Sequence, residues 1–184
     1  MFKPLLLSGA LALSVLVGSP AALAVPENQF QPAFSAFVRA AEGDAAAIDQ
    51  AVAAFAALRQ SEPGNPVLLA YSGAATSLQA TTTWLPWKKM AYAEDGLALL
   101  DKALALLGPS HSAVVQNGTP GVLDVKLVAA NTFLAVPGFM NRKDKGLRLL
   151  GEVLASPLLA TAPADFRAAV NKAAAKAGLK GGAQ

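Results

Sequence analysis

Apolar residues in this chain recur at spacings of three and four and almost nowhere alternate with polar ones, the pattern of helices with one buried stripe. The first stripe, Phe30, Phe34, Phe37 and Val38, predicts a helix from Asn28 to Ala41 that stops at Gly43. Asp44 stands where a cap is needed for a second helix to Gln60, with Ile48, Val52, Phe55 and Leu58 on its inner face. Ser61-Glu62-Pro63-Gly64-Asn65-Pro66 then breaks the pattern, because each proline bars its predecessor from the helical region and Gly64 tolerates a positive φ. A third helix is expected from Pro66 to Ala80. The longest runs from Lys88 to Leu107 on Leu97, Leu100, Leu104 and Leu107, and ends at Gly108-Pro109. A loop rich in Gly, Ser and Asn, with one short turn begun by Ser110, leads to Pro120. Three further helices follow, from Gly121 to Ala135, Asp144 to Ala155 and Pro163 to Ala177. Seven helices on short connections predict an all-α fold of antiparallel hairpins.

The second helices of these hairpins resemble one another. Ala51, Phe55, Leu58 and Pro63 stand in the order small, large at plus four, apolar at plus seven, proline at plus twelve. Gly96, Leu100 and Ala103 repeat the first three places, with Gly108-Pro109 at the end, and Gly146, Leu150 and Val153 repeat them again. A small residue at the first place lets the paired helix approach closely, while the large one fills the groove toward the next hairpin. This spacing resembles the second helix of a tetratricopeptide repeat (TPR). The intervals of 45 residues from Ala51 to Gly96 and 50 from Gly96 to Gly146 exceed the repeat length of about 34 in that family. The resemblance therefore implies a degenerate, right-handed TPR-like solenoid of three hairpins with Pro163 to Ala177 as a capping helix. A second, weaker resemblance is to exported bacterial TPR-like proteins that carry Trp-x-Pro-x-Lys-Lys ahead of Gly-Leu-x-x-Leu-Asp. Those segments stand here as Trp84-Leu85-Pro86-Trp87-Lys88-Lys89 and Gly96-Leu97-Ala98-Leu99-Leu100-Asp101. Neither resemblance implies an activity.

The amino terminus departs from this pattern. Met1, Phe2, Lys3 and Pro4 precede 13 uncharged residues, Leu5 to Val17, too few for a bilayer span of ~20. Gly18-Ser19-Pro20 follows, and small residues at Ala22 and Ala24 suit signal peptidase. The expectation is a cleaved signal peptide over residues 1–24, a single TPR-like domain over residues 25–184 beginning at Val25, and a periplasmic product. Beyond Val25 the net charge is +2, unevenly spread. Residues 25–80 carry two arginines against five acidic residues, whereas residues 81–184 carry twelve basic against seven acidic. An excess this mild does not imply nucleic-acid binding.

Composition narrows the chemistry. Of 184 residues 54% are hydrophobic and 15% charged, enough apolar material for one core without staples. There is no cysteine and a single histidine, so disulfides, thiolate metal sites, iron–sulfur clusters and thiol nucleophiles are excluded. His111 lies between Ser110 and Ser112, but adjacent residues rarely face each other productively and no Gly-x-Ser-x-Gly elbow exists. Glu94 and Asp95 form the one adjacent acidic pair, pointing about 100° apart on a helix. Asn117-Gly118-Thr119 fits a glycosylation sequon and reads more simply as a turn. No phosphate loop, dinucleotide fingerprint or metalloprotease motif is present. No enzyme, cofactor or metal is expected.

Two connections remain, Thr81 to Lys89 and Val136 to Lys145. Each has a proline, bulky aromatics and then a basic cluster, with Pro86 ten residues before Gly96 and Pro137 nine before Gly146. In a hairpin solenoid, equivalent connections share one rim. Both tryptophans of the chain and five of its 14 cations beyond Val25 would then lie on one edge. Two readings stay open for Trp84, Trp87 and Phe139: buried wedges between hairpins, or an exposed surface. On the second, Trp84, Trp87, Lys88, Lys89, Phe139, Arg142 and Lys143 form a continuous partner-binding site for an acidic protein or an anionic membrane face. The functional expectation is a non-enzymatic scaffold that binds a protein partner through its concave face or this rim. The alternative is a periplasmic carrier or sensor of a small anionic or lipidic ligand.

Overall fold

A computed structural model describes residues 25–179. The expected leader over residues 1–24 and its cleavage sequence lie outside the described residues. Seven α-helices, with no strand among the described residues, make the protein all-α: α1 (Glu27–Ala41), α2 (Ala45–Ser61), α3 (Pro66–Leu78), α4 (Pro86–Ala105), α5 (Gly121–Ala135), α6 (Lys143–Leu154) and α7 (Ala164–Ala177). Asp44 caps α2, accepting from the backbone N–H of Ala46 at 3.0 Å, and Asn65 caps α3, accepting from Val67 at 2.9 Å. Gly43 has φ +106°, which a side chain would strain, and this ends α1 three residues before α2 can begin. The expected boundaries differ from these by one or two residues at most ends. At α4 the difference has a consequence: Pro86 is the first helical residue, where its fixed φ is already that of a helix, so Trp87, Lys88 and Lys89 occupy the first turn. Past Pro157 a 3₁₀ turn, Pro157–Thr161, that the apolar pattern does not predict leads into α7.

Consecutive helices pair antiparallel. In the first pair Phe30 meets Phe55 while Arg39 reaches Gln50, and in the third Lys126 meets Glu152 while Gly146 faces Leu134. The second pair is the tightest. A Cβ placed on Gly96 would overlap the Ser77 hydroxyl and come within 2.5 Å of the Gly73 carbonyl, and one on Gly73 would lie 2.6 Å from the Gly96 carbonyl. The α3 and α4 backbones are therefore in contact, and only glycine fits on either side.

Helix α3 also packs against α1, α2 and α5, and ten of its thirteen residues are buried. A helix covered on so many sides must be apolar nearly all round, as Val67-Leu68-Leu69-Ala70 is. Its one large polar side chain, Tyr71, stacks on Phe55 with centroids 5.1 Å apart and takes edge contacts from Phe30, Phe34 and Phe37. The Tyr71 hydroxyl donates to Asp124 Oδ1 of α5 at 2.8 Å. Burial pushes the Asp124 carboxyl up to about 7, with the Tyr71 hydrogen bond pulling the other way, and burial followed by the Asp124 charge raises the Tyr71 hydroxyl well above its usual range. The chain entering α1 is tied to the loop before α5: Val25 is buried, Gln116 Nε2 donates to the Val25 carbonyl at 3.1 Å, and Glu27 accepts from the Asn117 backbone.

Two predictions follow from this packing. Gly96→Ala should destabilise by about 1–3 kcal/mol even though alanine favours helix, because the obstruction is backbone. Gly146→Ala should destabilise less, since its nearest obstruction, the Leu134 side chain at 2.9 Å, is looser than the Ser77 hydroxyl at 2.1 Å and Gly73 carbonyl at 2.5 Å around Gly96, and the Ala130 carbonyl stands back at 3.2 Å. Thermal melts in which Gly146→Ala is the more damaging of the two would contradict the geometry.

The second concerns pH. Asp124 holds its proton more tightly folded than unfolded, so its contribution to stability is full below about pH 4 and is lost as pH rises toward 7. Asp124→Asn, permanently neutral, should match the parent below about pH 4 and exceed it increasingly as pH rises, by about 1–4 kcal/mol at pH 8. Melts of the two proteins that run parallel across that range would show that Asp124 does not titrate during unfolding.

Candidate functional site

The two aromatic connections are built by local chemistry. At the end of α3 the Thr81 and Thr82 hydroxyls donate back to the carbonyls of Leu78 and Gln79 at 2.7 and 2.9 Å, closing a 3₁₀ turn. The chain then turns extended through Leu85, and Pro86 starts α4. This leaves Trp84 83% and Trp87 66% exposed. In the second connection Pro137 opens a 3₁₀ turn, Gly138–Met140, and Asn141 at φ +54° reverses the chain into α6, leaving Phe139 67% exposed. These three are among only five large hydrophobic side chains exposed in the described residues. The wedge reading is thereby settled: none of the three is buried between hairpins.

A cleft of about 680 Å³ brings the two connections together. Phe37 and Ala41 of α1, Ala74 and Leu78 of α3, and Ala93 of α4 contribute to its lining along with Val128, Thr132 and Ala135 of α5. Its mouth is formed by Pro86, Lys89 and Met90 from one connection and Pro137, Phe139 and Met140 from the other. The lining is mostly apolar, and Asn131, Ala135, Lys89 and Phe139 are exposed at its edge, so the hollow opens to solvent. It exists because α4 meets α3 at glycines and α3 shows the small Ala74 and Ser77 on that side before Leu78.

The seven expected site residues divide. Lys89 and Phe139 line the cleft, and Trp84, Trp87 and Lys88 stand beside Lys89 at the start of α4. Lys143 is exposed at the start of α6. Lys88, Lys89 and Lys143 form no ion pair among the described residues. Arg142 is engaged internally: it pairs with Asp101 at 2.8 Å and lies 5.5 Å over the Phe133 ring. Lys145 takes the other oxygen of the same carboxylate at 2.6 Å. Two cations over one aromatic ring, sharing one carboxylate, lock α6 to α4.

Of the remaining polar candidates, His111 and Asn117 are internally engaged as well. His111 Nδ1 accepts from the Gly108 backbone N–H at 2.9 Å, closing its own turn. Asn117, the sequon residue, has φ +56° and is bonded to Gln31 at 2.5 Å. Glu94 and Asp95 are exposed. A second hollow, of about 530 Å³ between α4, α5 and α6, is lined by Lys126, Arg148 and Glu152, which pair with one another. No group of three or more His, Cys, Asp or Glu side chains placed to hold a metal ion occurs among the described residues.

No family model, curated protein or solved structure matches the chain. The functional reading therefore rests on the cleft and its rim.

The exposure of both indoles is directly measurable. Tryptophan emission of the free protein should be that of solvated indole, and acrylamide should quench all of it. A quench-resistant, blue-shifted component would mean that Trp84 or Trp87 is covered in solution.

Proposed function

We propose that the protein is an exported, non-enzymatic interaction module, a TPR-like stack of three hairpins capped by α7, that seats the apolar face of a protein partner in its cleft. The observation that carries this is the cleft itself, apolar within and opening to solvent, with Lys89 at its edge. An open apolar trough is what an amphipathic helix needs, its apolar side chains entering the groove and its polar face staying in water. Met90 and Met140 at the mouth suit this, because unbranched thioethers repack around varied side chains. With Lys88, Lys89 and Lys143 alongside, the partner segment should carry acidic residues on its flanks.

One observation favours a second reading, a carrier of a small anionic or lipidic ligand: the cleft exceeds the ~300 Å³ from which ligand pockets begin. A single experiment separates the two. Photoreactive benzoylphenylalanine in place of Ala135, at the lip, should give one protein adduct in periplasmic extract. The cross-linked peptide should be amphipathic with acidic flanks, and filling the trough with Thr132→Phe should abolish the adduct. An adduct of lipid or metabolite mass would favour the carrier. Labelling that Thr132→Phe leaves unchanged would remove the cleft from function altogether.

A further inference from the structure

Outside the cleft, the rim itself has features that a protein-binding groove does not require. Trp84 and Trp87 point into solvent without lining the cleft, and neither has an aromatic or cationic partner among the described residues. From Thr81 to Ala93 the chain holds two lysines and no acidic residue. Both lysines sit in the first turn of α4, where the helix dipole opposes them, and α4 has neither an acidic first-turn residue nor a side-chain cap to offset it. The equivalent start of α6 differs: Lys143 there is followed by Asp144 in the same turn. The unfavourable charge is thus concentrated beside the two protruding indoles.

We infer that Trp84, Trp87 and Phe139, with Lys88, Lys89 and Lys143, dock the protein on an anionic phospholipid bilayer. A protein partner would have to offer a shaped pocket to each protruding ring, since specific interfaces depend on packed complementarity. A bilayer offers none and needs none. Indoles partition to headgroup level, with the ring in the apolar margin and the N–H in water, and lysines beside them meet lipid phosphates. Charge complementarity selects the anionic surface, each lysine near it contributing about fivefold in partition at low salt. No described helix is long and apolar enough to cross a membrane, so this contact is peripheral. Lys89 and Phe139 belong to both rim and cleft, so the docked surface adjoins the cleft. The inference does not depend on what fills the cleft.

The chain contains two tryptophans, both in the rim, so indole fluorescence reports this surface, and neutral vesicles separate its charge-dependent docking from partitioning of the apolar amino-terminal segment. Vesicles of phosphatidylcholine with about 30% phosphatidylglycerol should shift the emission to the blue, and brominated acyl chains should quench it. The response should be absent on pure phosphatidylcholine and should fade at about 0.5 M salt. Lys88→Glu with Lys89→Glu should weaken it by about tenfold or more. Thr132→Phe, which blocks the cleft, should leave it intact, so failure of the cleft reading and failure of this one are separable. Unchanged emission on anionic vesicles overturns the inference, as does an equal response on neutral ones. A response to polyglutamate but not to vesicles overturns it in favour of an acidic protein, and loss of the vesicle response in Thr132→Phe would mean that the indoles report lipid entering the cleft.

Discussion

A tyrosine hydroxyl sealed inside a bundle of helices must find an acceptor, and the position of that acceptor fixes the helices that carry the two groups. Tyr71 of α3 is surrounded by four phenylalanines from α1 and α2, and its one polar atom reaches Asp124 of α5. The first, second and third hairpins are thereby registered on a single side chain. Dispersion and area hold the aromatic cluster together, but these tolerate sliding. The hydrogen bond does not, because a displaced helix would leave both a hydroxyl and a carboxyl unpaired in an apolar interior. Once α3 is pinned between α1 and α5, the space between them beyond Tyr71 is set as well, and that space is the cleft.

Small residues act in two opposite ways along the same helix. At Gly73 they bring α4 into backbone contact with α3, whereas at Ala74, facing the cleft, the lack of bulk leaves a hollow. Both follow from one geometric fact: helices in contact at glycines cannot also be spread by large side chains a turn away. The hollow is therefore a by-product of tight packing on the neighbouring face, and the exposed connections at its mouth are where sequence has freedom to decorate it. The exposed large aromatics of the described residues, Trp84, Trp87 and Phe139, all lie in those connections.

The helices were legible because their punctuation is chemical. Asp44, Asn65, Gly43 and the prolines act locally, and local signals survive in a sequence read without a fold. The start of α4 illustrates the limit, since Pro86 signals both a break and a beginning, and only the structure shows that it is the first helical residue. The glycines at 96 and 146 could be read as equivalent small positions, yet not as unequal in tightness, which depends on what Ser77 and Leu134 present from the other helix. The buried partnership of Asp124 with Tyr71 has no local signal at all. The same holds for Arg142. Its place in a basic cluster suggested a free rim cation, whereas Asp101 on another helix claims it. Exposure of the indoles was equally undecidable, because tryptophan next to proline and lysine serves as wedge or as anchor with the same spelling. The cleft left no sequence trace, since alanines that line a void look like alanines that pack.

Stacked-hairpin proteins ordinarily fray from their ends, because each hairpin touches only its neighbours and a terminal one can peel away alone. The bond from Gln116 to the Val25 carbonyl, with the contact of Glu27 to Asn117, changes that topology. It joins the start of the first helix pair to the segment that leads into the third. Release of α1 then requires breaking contacts with a segment two hairpins away, so the amino-terminal hairpin shares its fate with the centre of the molecule. A tie of this kind favours concerted over progressive unfolding, since the amino-terminal pair is held to the centre of the molecule as well as to its neighbour.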